Sequence, residues 1–444
     1  MNTALLLASL ATVVLGRFSY EGYKVYQVTP ENEEQIATLY KLRGTLRYGL
    51  FSDSVVPGYP VNVMVAPAEQ EMFLQIINED SLNYRITAED IESKISAERE
   101  RIQKTSPVAK GEISFTEFQT YTVIQDYLQQ LASSYPDIVT VEEFGRSFED
   151  RPLILIRIGA GAESNPTILI DSTIHAMEWI STSVTTYIIQ QLVENSDYRY
   201  LIENINWVII PVLNPDGYEY TFTQERLWRK TRRPGTLCDG VDANRNFPYH
   251  WGGNGTSTDE CNFYYIGPHA LSEPEVVAFT NVVYKINNLV LHLSMHSYGS
   301  MILFPWGWTT ELVSRSDELQ QLGDAASKAI AAVNGTVYIT GPSSQLLYYA
   351  AGNSVDWITY TRGTLSYTVE LPAGPGDGVL DGFIVPPEKI LPICQEFWPG
   401  LLSFAHQSAK IDLNNADGSS RLTISFRQWA WVLFMYCFRC ADGI

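Results

Sequence analysis

His175 and Glu178 stand three positions apart in TILIDSTIHAMEWISTS (167–183), where an apolar run gives way to polar residues. An imidazole and a carboxylate at that spacing can converge on one metal ion. A hydrolytic zinc takes nitrogen and oxygen donors and keeps one position for water. Two protein ligands are too few, and an H-x-x-E pair alone is as readily a satisfied surface histidine beside a helix-start glutamate. A third donor is available in LVLHLSMHSYGS (289–300), where His292 and His296 share strand parity. His296 falls where the apolar run breaks, and active-site groups gather at the carboxyl ends of strands in open α/β sheets. His296 is therefore the favoured ligand, and His292 reads as a core histidine.

A second constellation lies in RLWRKTRRPGTLCDGVDANRNFPYHWGG (226–253). Four of the five residues 229–233 are basic in a chain of net charge −20. That contrast suits an anion site, because arginine presents forked donors matched to a carboxylate. Asn244 and Arg245 add a second fork. Cys238, just after the basic cluster, and Cys261 flank Asn244 and Arg245, so a disulfide between them would help hold both arginine groups in place. In SYTVELP (366–372), Glu370 ends an apolar strand, a position rarely given to a carboxylate without a role. Neither H-E-x-x-H nor G-x-S-x-G occurs, so those hydrolytic chemistries lack their motifs.

The elements that must position these groups are legible in the patterning. Residues 20–103 alternate strand-like and helix-like stretches, for which helices on one face of a small antiparallel sheet are the economical solution. A polar connector at 88–114 leads into an exposed linker that offers Arg99, Arg101, Lys104 and Lys110 to a trypsin-like protease. Beyond 113, apolar runs such as LILIRIG, TILIDS, NWVIIPVLN, NLVLHLSMHS and LSYTVEL alternate with amphipathic helices. That order predicts an α/β fold, a mixed sheet covered on both faces.

The first sixteen residues, MNTALLLASLATVVLG, predict a cleaved secretory signal and are too short to span a bilayer comfortably. Five cysteines in an oxidising compartment then imply at least one disulfide. Asn254-Gly-Thr256 and Asn334-Gly-Thr336 are glycosylation sequons that fit that setting. The acidic balance argues against nucleic-acid binding. Residues 411–444 form a tail with an apolar run too short for a spanning helix, and the sequence assigns it no role.

Taken in order, HAMEW, LNPDGYEYT, RLWRKTR, GVDANRNF, SMHSYGSMILFPWG, YYAAGNSVDW and TVEL resemble the zinc metallocarboxypeptidases of the carboxypeptidase A/B subfamily across roughly 113–408. Residues 20–103 resemble that family's activation domain more loosely. The resemblance implies a signal at 1–16 and a ferredoxin-like α+β activation domain with its connector at 17–110. A catalytic domain follows at 111–410, with a mixed central sheet flanked by helices. It implies a secreted zymogen of insect digestive type that is a monomer and binds one zinc through His175, Glu178 and His296. Glu370 is then the general base toward a zinc-activated water, and Arg229 stabilises the oxyanion. Asn244, Arg245, Tyr348 and Tyr298 bind substrate, and Asp242 orients His175. Val355 stands where basic-residue enzymes carry an acid, so an aliphatic or aromatic C-terminal residue is the implied substrate. A catalytically silent binding protein on this scaffold would usually lack a ligand or the base, and all are present here. Met177 departs from the family, which usually has arginine there, and the loop 371–383 looks a few residues longer.

Overall fold

The computed structural model describes residues 17–43, 57–58, 60–373 and 382–410. The expected signal at 1–16, most of the long loop after Glu370 and the tail from 411 lie outside the described residues. In the amino-terminal part, β1 (Lys24–Thr29), β2 (Val61–Val65) and β3 (Asn83–Ala88) form an antiparallel sheet ordered β2-β1-β3. Strand alternation sends successive side chains to opposite faces. Tyr26, Val28, Val61, Val63 and Val65 pack with α1 (Glu33–Arg43) and α2 (Gln70–Glu79) through Ile36, Leu39, Phe73 and Ile77. Val25 and Met64 point the other way, onto Ile91 and Ile95 of α3 (Ile91–Lys104) and onto Met177 and Leu227 of the larger part. β1 and β2 are therefore covered on both faces, whereas the edge strand β3 is largely exposed. Asp90 caps α3 by accepting from the Ser93 backbone N–H at 2.9 Å.

The larger part is built on an eight-stranded mixed sheet. Its strands are β4 (Val139–Arg146), β5 (Pro152–Ile158), β6 (Thr167–Ser172), β7 (Asn206–Ile210), β8 (Leu289–Ser297), β9 (Met301–Phe304), β10 (Ile339–Pro342) and β11 (Leu365–Leu371). They are ordered β10-β9-β11-β8-β6-β7-β5-β4. The central strands β11, β8, β6 and β7 run parallel. All six residues of β6 and nearly all of β8 are buried, as continuous apolar runs in a covered parallel sheet should be.

The covering helices are α4 (Tyr121–Ser134), α5 (Trp179–Glu194), α6 (Arg199–Asn204), α7 (Pro215–Thr223), α8 (Pro274–Lys285), α9 (Ser316–Asn334), α10 (Ser343–Leu346), α11 (Ser354–Arg362) and α12 (Pro387–Ser408). α12 continues through Pro392 and Pro399, held by a long contact with α9. Tertiary packing there outweighs a proline cost of about 3 kcal/mol each. Among the described residues no helix is long and apolar enough to cross a membrane.

The parallel core places the carboxyl ends of β6, β8 and β11 along one edge. His175 follows β6, His296 ends β8, and register pairs Glu370 of β11 with His296, so both side chains share a sheet face.

Candidate active site

The chain leaves β6 through Thr173, whose φ of 58° is uncommon for a β-branched residue and turns the backbone sharply. Neighbouring segments tie that turn down. Leu213 N–H donates to Ser172 O at 3.0 Å, and Asn214 Nδ2 donates to Ile174 O at 3.3 Å and Lys230 O at 3.0 Å. Ala176 N–H donates to Arg229 O at 3.1 Å, which links the His175 loop directly to the basic segment.

These bonds aim three donors at one point. His175 Nδ1 lies 2.8 Å from Glu178 Oε1 and 3.1 Å from His296 Nδ1, and His296 Nδ1 lies 3.0 Å from Glu178 Oε2. All three residues are buried, and their ligand atoms lie within 4.8 Å of one another. A tetrahedral zinc with bonds of about 2.0–2.1 Å sets its donors roughly 3.3 Å apart, close to these spacings. Two nitrogens and a carboxylate converging at such distances fit that ion.

Burial alone would raise the Glu178 carboxyl, but the His175 and His296 imidazoles outweigh it and hold it at about 2. Its Oε2 also accepts from Ser297 N–H at 3.2 Å.

Behind the donors, His175 Nε2 lies 3.2 Å from Asp242 Oδ1, and Asp242 Oδ2 accepts from Arg229 Nη2 at 2.9 Å. Burial opposes ionisation of Asp242, yet Arg229, His175 and Arg245 together hold its pKa well below the usual range. The same carboxylate thus orients a ligand and anchors Arg229, whose own pKa is raised chiefly by Asp242 against the cost of burial.

Arg245 is fixed as a fork. Its Nη1 donates to Asn244 O at 2.8 Å and its Nε to Gly255 O at 3.2 Å, while Nη2 meets the Tyr348 hydroxyl at 3.3 Å. Gly255 has a φ of +78°, and a Cβ there would fall 1.4 Å from Tyr349 O, so only glycine fits this close approach. Asn244 spends its Oδ1 on Ser354 N–H at 3.0 Å and lines the cavity beside Arg245.

His175, Glu178, His296, Arg229, Asn244, Arg245, Tyr348, Val355 and Glu370, scattered over about 200 positions of sequence, line a single cavity. Tyr298 is not among its lining residues; it packs edge-on against Phe383, next to Met177 and Leu227 beneath the amino-terminal part. Cys238 and Cys261 form a disulfide spanning 23 positions, and a closed loop of that size restricts the unfolded chain by about 3 kcal/mol.

The sequence reading did not single out Leu303, Ser343, Leu347, Thr368 or Asp356, which also line the cavity. Asp356 had a signal, an acid next to Val355 in the apolar SVDW. Burial raises its carboxyl to about 7, against hydrogen bonds that favour the charged form. Gly307 N–H donates to it at 2.9 Å and Trp308 N–H at 3.2 Å.

The amino-terminal part packs against segments that flank the donor set. Glu98 of α3 accepts from Arg226 Nε at 2.6 Å, with both side chains buried, and Arg226 stacks 3.5 Å over the Trp179 ring. Met177, standing where the family has arginine, is buried in this contact.

Residues 124–400 match the zinc carboxypeptidase family, and residues 26–98 match the carboxypeptidase activation peptide. The chain is 36% identical to carboxypeptidase B of Helicoverpa zea over 429 residues, covering 93% of this chain and 99% of that protein. It is 31% identical to bovine carboxypeptidase A1 over 426 residues, covering 94% and 100%. The crystal structure of carboxypeptidase A from Helicoverpa armigera superposes with a TM-score of 0.83 at 34% identity, over 88% of this chain and 98% of that one. A buried His–Glu–His donor set at the end of a parallel sheet, an amino-terminal part that matches the activation peptide and packs beside that set, and these matches along nearly the whole chain agree: the protein belongs to the zinc carboxypeptidases that carry an activation peptide.

Proposed function

We propose that this chain is a secreted, monomeric pro-carboxypeptidase that binds one zinc and removes aliphatic or aromatic C-terminal residues. His175, Glu178 and His296 hold the metal, which when bound supplies a Lewis acid that activates water and polarises the scissile carbonyl. Glu370 takes a proton from the attacking water and returns it to the departing amine. Arg229, anchored on Asp242, donates to the developing oxyanion. Arg245 and Asn244 seat the terminal carboxylate, with Tyr348 closing over it, which confines cleavage to chain ends. The activation part, which we take to end with its connector near 110, keeps peptides off this site.

Val355 carries the specificity reading: it is 3% exposed and forms an apolar part of the cavity lining. Its chain neighbour Asp356 spends its carboxylate on the Gly307 and Trp308 amides, and burial raises that carboxyl to about 7. A lysine or arginine facing Val355 would lose water without gaining a fixed partner, a cost of about 3 kcal/mol. The activated enzyme should therefore cleave a Phe- or Leu-terminated peptide with a kcat/KM roughly 100-fold above its Arg-terminated analogue. The reverse order would overturn the reading.

The activation linker sharpens a second expectation. Arg101 is tied to Glu117 at 2.7 Å and Arg99 is largely covered beside Glu92, whereas the Lys104 and Lys110 side chains are 73% and 84% exposed. Limited trypsin treatment should cut after Lys104 or Lys110 and raise activity. Terminal sequencing of the large fragment checks this, with a start at Thr105 or Gly111 expected. An intact precursor as active as the trimmed form would contradict the zymogen assignment.

A further inference from the structure

Behind the donor set lies a row of polar side chains with no part in the mechanism above. His292, Ser294 and His296 alternate along β8 and so share one face of the sheet. Asp171 of β6 is the register partner of Ser294. His296 Nε2 lies 3.1 Å from Ser294 Oγ, Ser294 Oγ donates to Asp171 Oδ2 at 2.9 Å, and Asp171 Oδ1 lies 2.6 Å from His292 Nε2. None of the four is more than 1% exposed.

The proton directions follow from donor counting. An ionised carboxylate only accepts, so the single Ser294 proton goes to Asp171 and the Ser294 oxygen is left to accept. His296 Nε2 must therefore carry a proton and donate it. His296 Nδ1, which faces His175 and Glu178, is then the atom with the free lone pair, the form a metal requires. Asp171 would be a poorly satisfied buried carboxylate if Ser294 were its only donor. His292 supplies the second, while its Nδ1 has no partner among the described residues and its ring stands against Phe279 at 6.1 Å.

We propose that Asp171 and Ser294, braced by His292, are positioning residues that set the tautomer and ring plane of His296 for the metal. The inference rests on the reading of His296 as a zinc ligand. Asp242 does the same for His175 by direct contact; here a hydroxyl stands between carboxylate and imidazole.

The test measures zinc dissociation constants of the full-length precursor by competition with a chromogenic chelator, alongside thermal unfolding of the metal-free proteins. Ser294→Ala should weaken zinc binding about 10–100-fold, the usual effect of losing such support, with KM of the activated enzyme unchanged. His292→Leu should weaken it in the same direction, and His292→Gln, which keeps an N–H toward Asp171, should recover most of the loss. A wild-type constant in Ser294→Ala would overturn the proposal, provided His296→Ala loses zinc. If His296→Ala itself keeps wild-type affinity, the ligand reading has failed instead. A His292→Leu protein that unfolds earlier when metal-free but binds zinc normally would make His292 a packing residue and remove it from the device.

Discussion

Replacing Glu370 by Gln is expected to lower kcat by about 10²–10⁴-fold, the usual contribution of a positioned general base, while the protein keeps its metal. Glu370 is not one of the three converging donors, yet its strand register sets it beside His296 on the same sheet face. The amide has nearly the shape of the carboxylate and cannot take a proton from water. Zinc content by elemental analysis should therefore match wild type, and the thermal midpoint should move little. A variant with full turnover would show that another group is the base. A variant without zinc would show that Glu370 belongs to the metal site.

The second large effect is expected at Arg245. Two of its N–H groups are spent on the Asn244 and Gly255 carbonyls, which points the remainder of the fork into the cavity next to Tyr348. Arg245→Met removes the charge that a substrate carboxylate would meet in a buried site. Truncating one partner of such a pair costs about 2–5 kcal/mol, or roughly 30- to 4,000-fold. The loss should fall on kcat/KM, chiefly through KM, and the preference for a free over an amidated C-terminus should shrink with it. An unchanged free-to-amide ratio would move the carboxylate site elsewhere.

The parts of this site legible in the sequence were those where chemistry interrupts an apolar run. His175, His296 and Glu370 each fall where β6, β8 or β11 ends, and a covered parallel sheet writes such strands as continuous apolar segments. Elements without that contrast were less visible. β9 is four residues long, and β10 carries the exposed Ile339 beside Gly341 and Pro342, so edge pairing rather than pattern defines them. α12 contains two prolines that local propensity would read as breaks, and only its packing on α9 explains its continuity.

Long-range pairing was the other hidden layer. Four basic residues in the connector looked equally open to a protease, but Glu117 claims Arg101 from sixteen positions away. His292 read as a core histidine because nothing in its strand announces Asp171, more than a hundred positions earlier in the chain. Tyr298, placed among the substrate-binding residues by resemblance, packs together with Met177 against the amino-terminal part, a contact no local pattern announces. Both belong to surface that the activation part covers.

The most direct test of the central claim is a metal titration of the activated enzyme. Zinc is removed with a chelator and added back in measured equivalents while hydrolysis of a Phe-terminated peptide is followed. Activity should vanish on removal and return in proportion to added zinc, with a break at about one equivalent per chain, as a single His–His–Glu site requires. Undiminished activity in the metal-free protein would contradict the account.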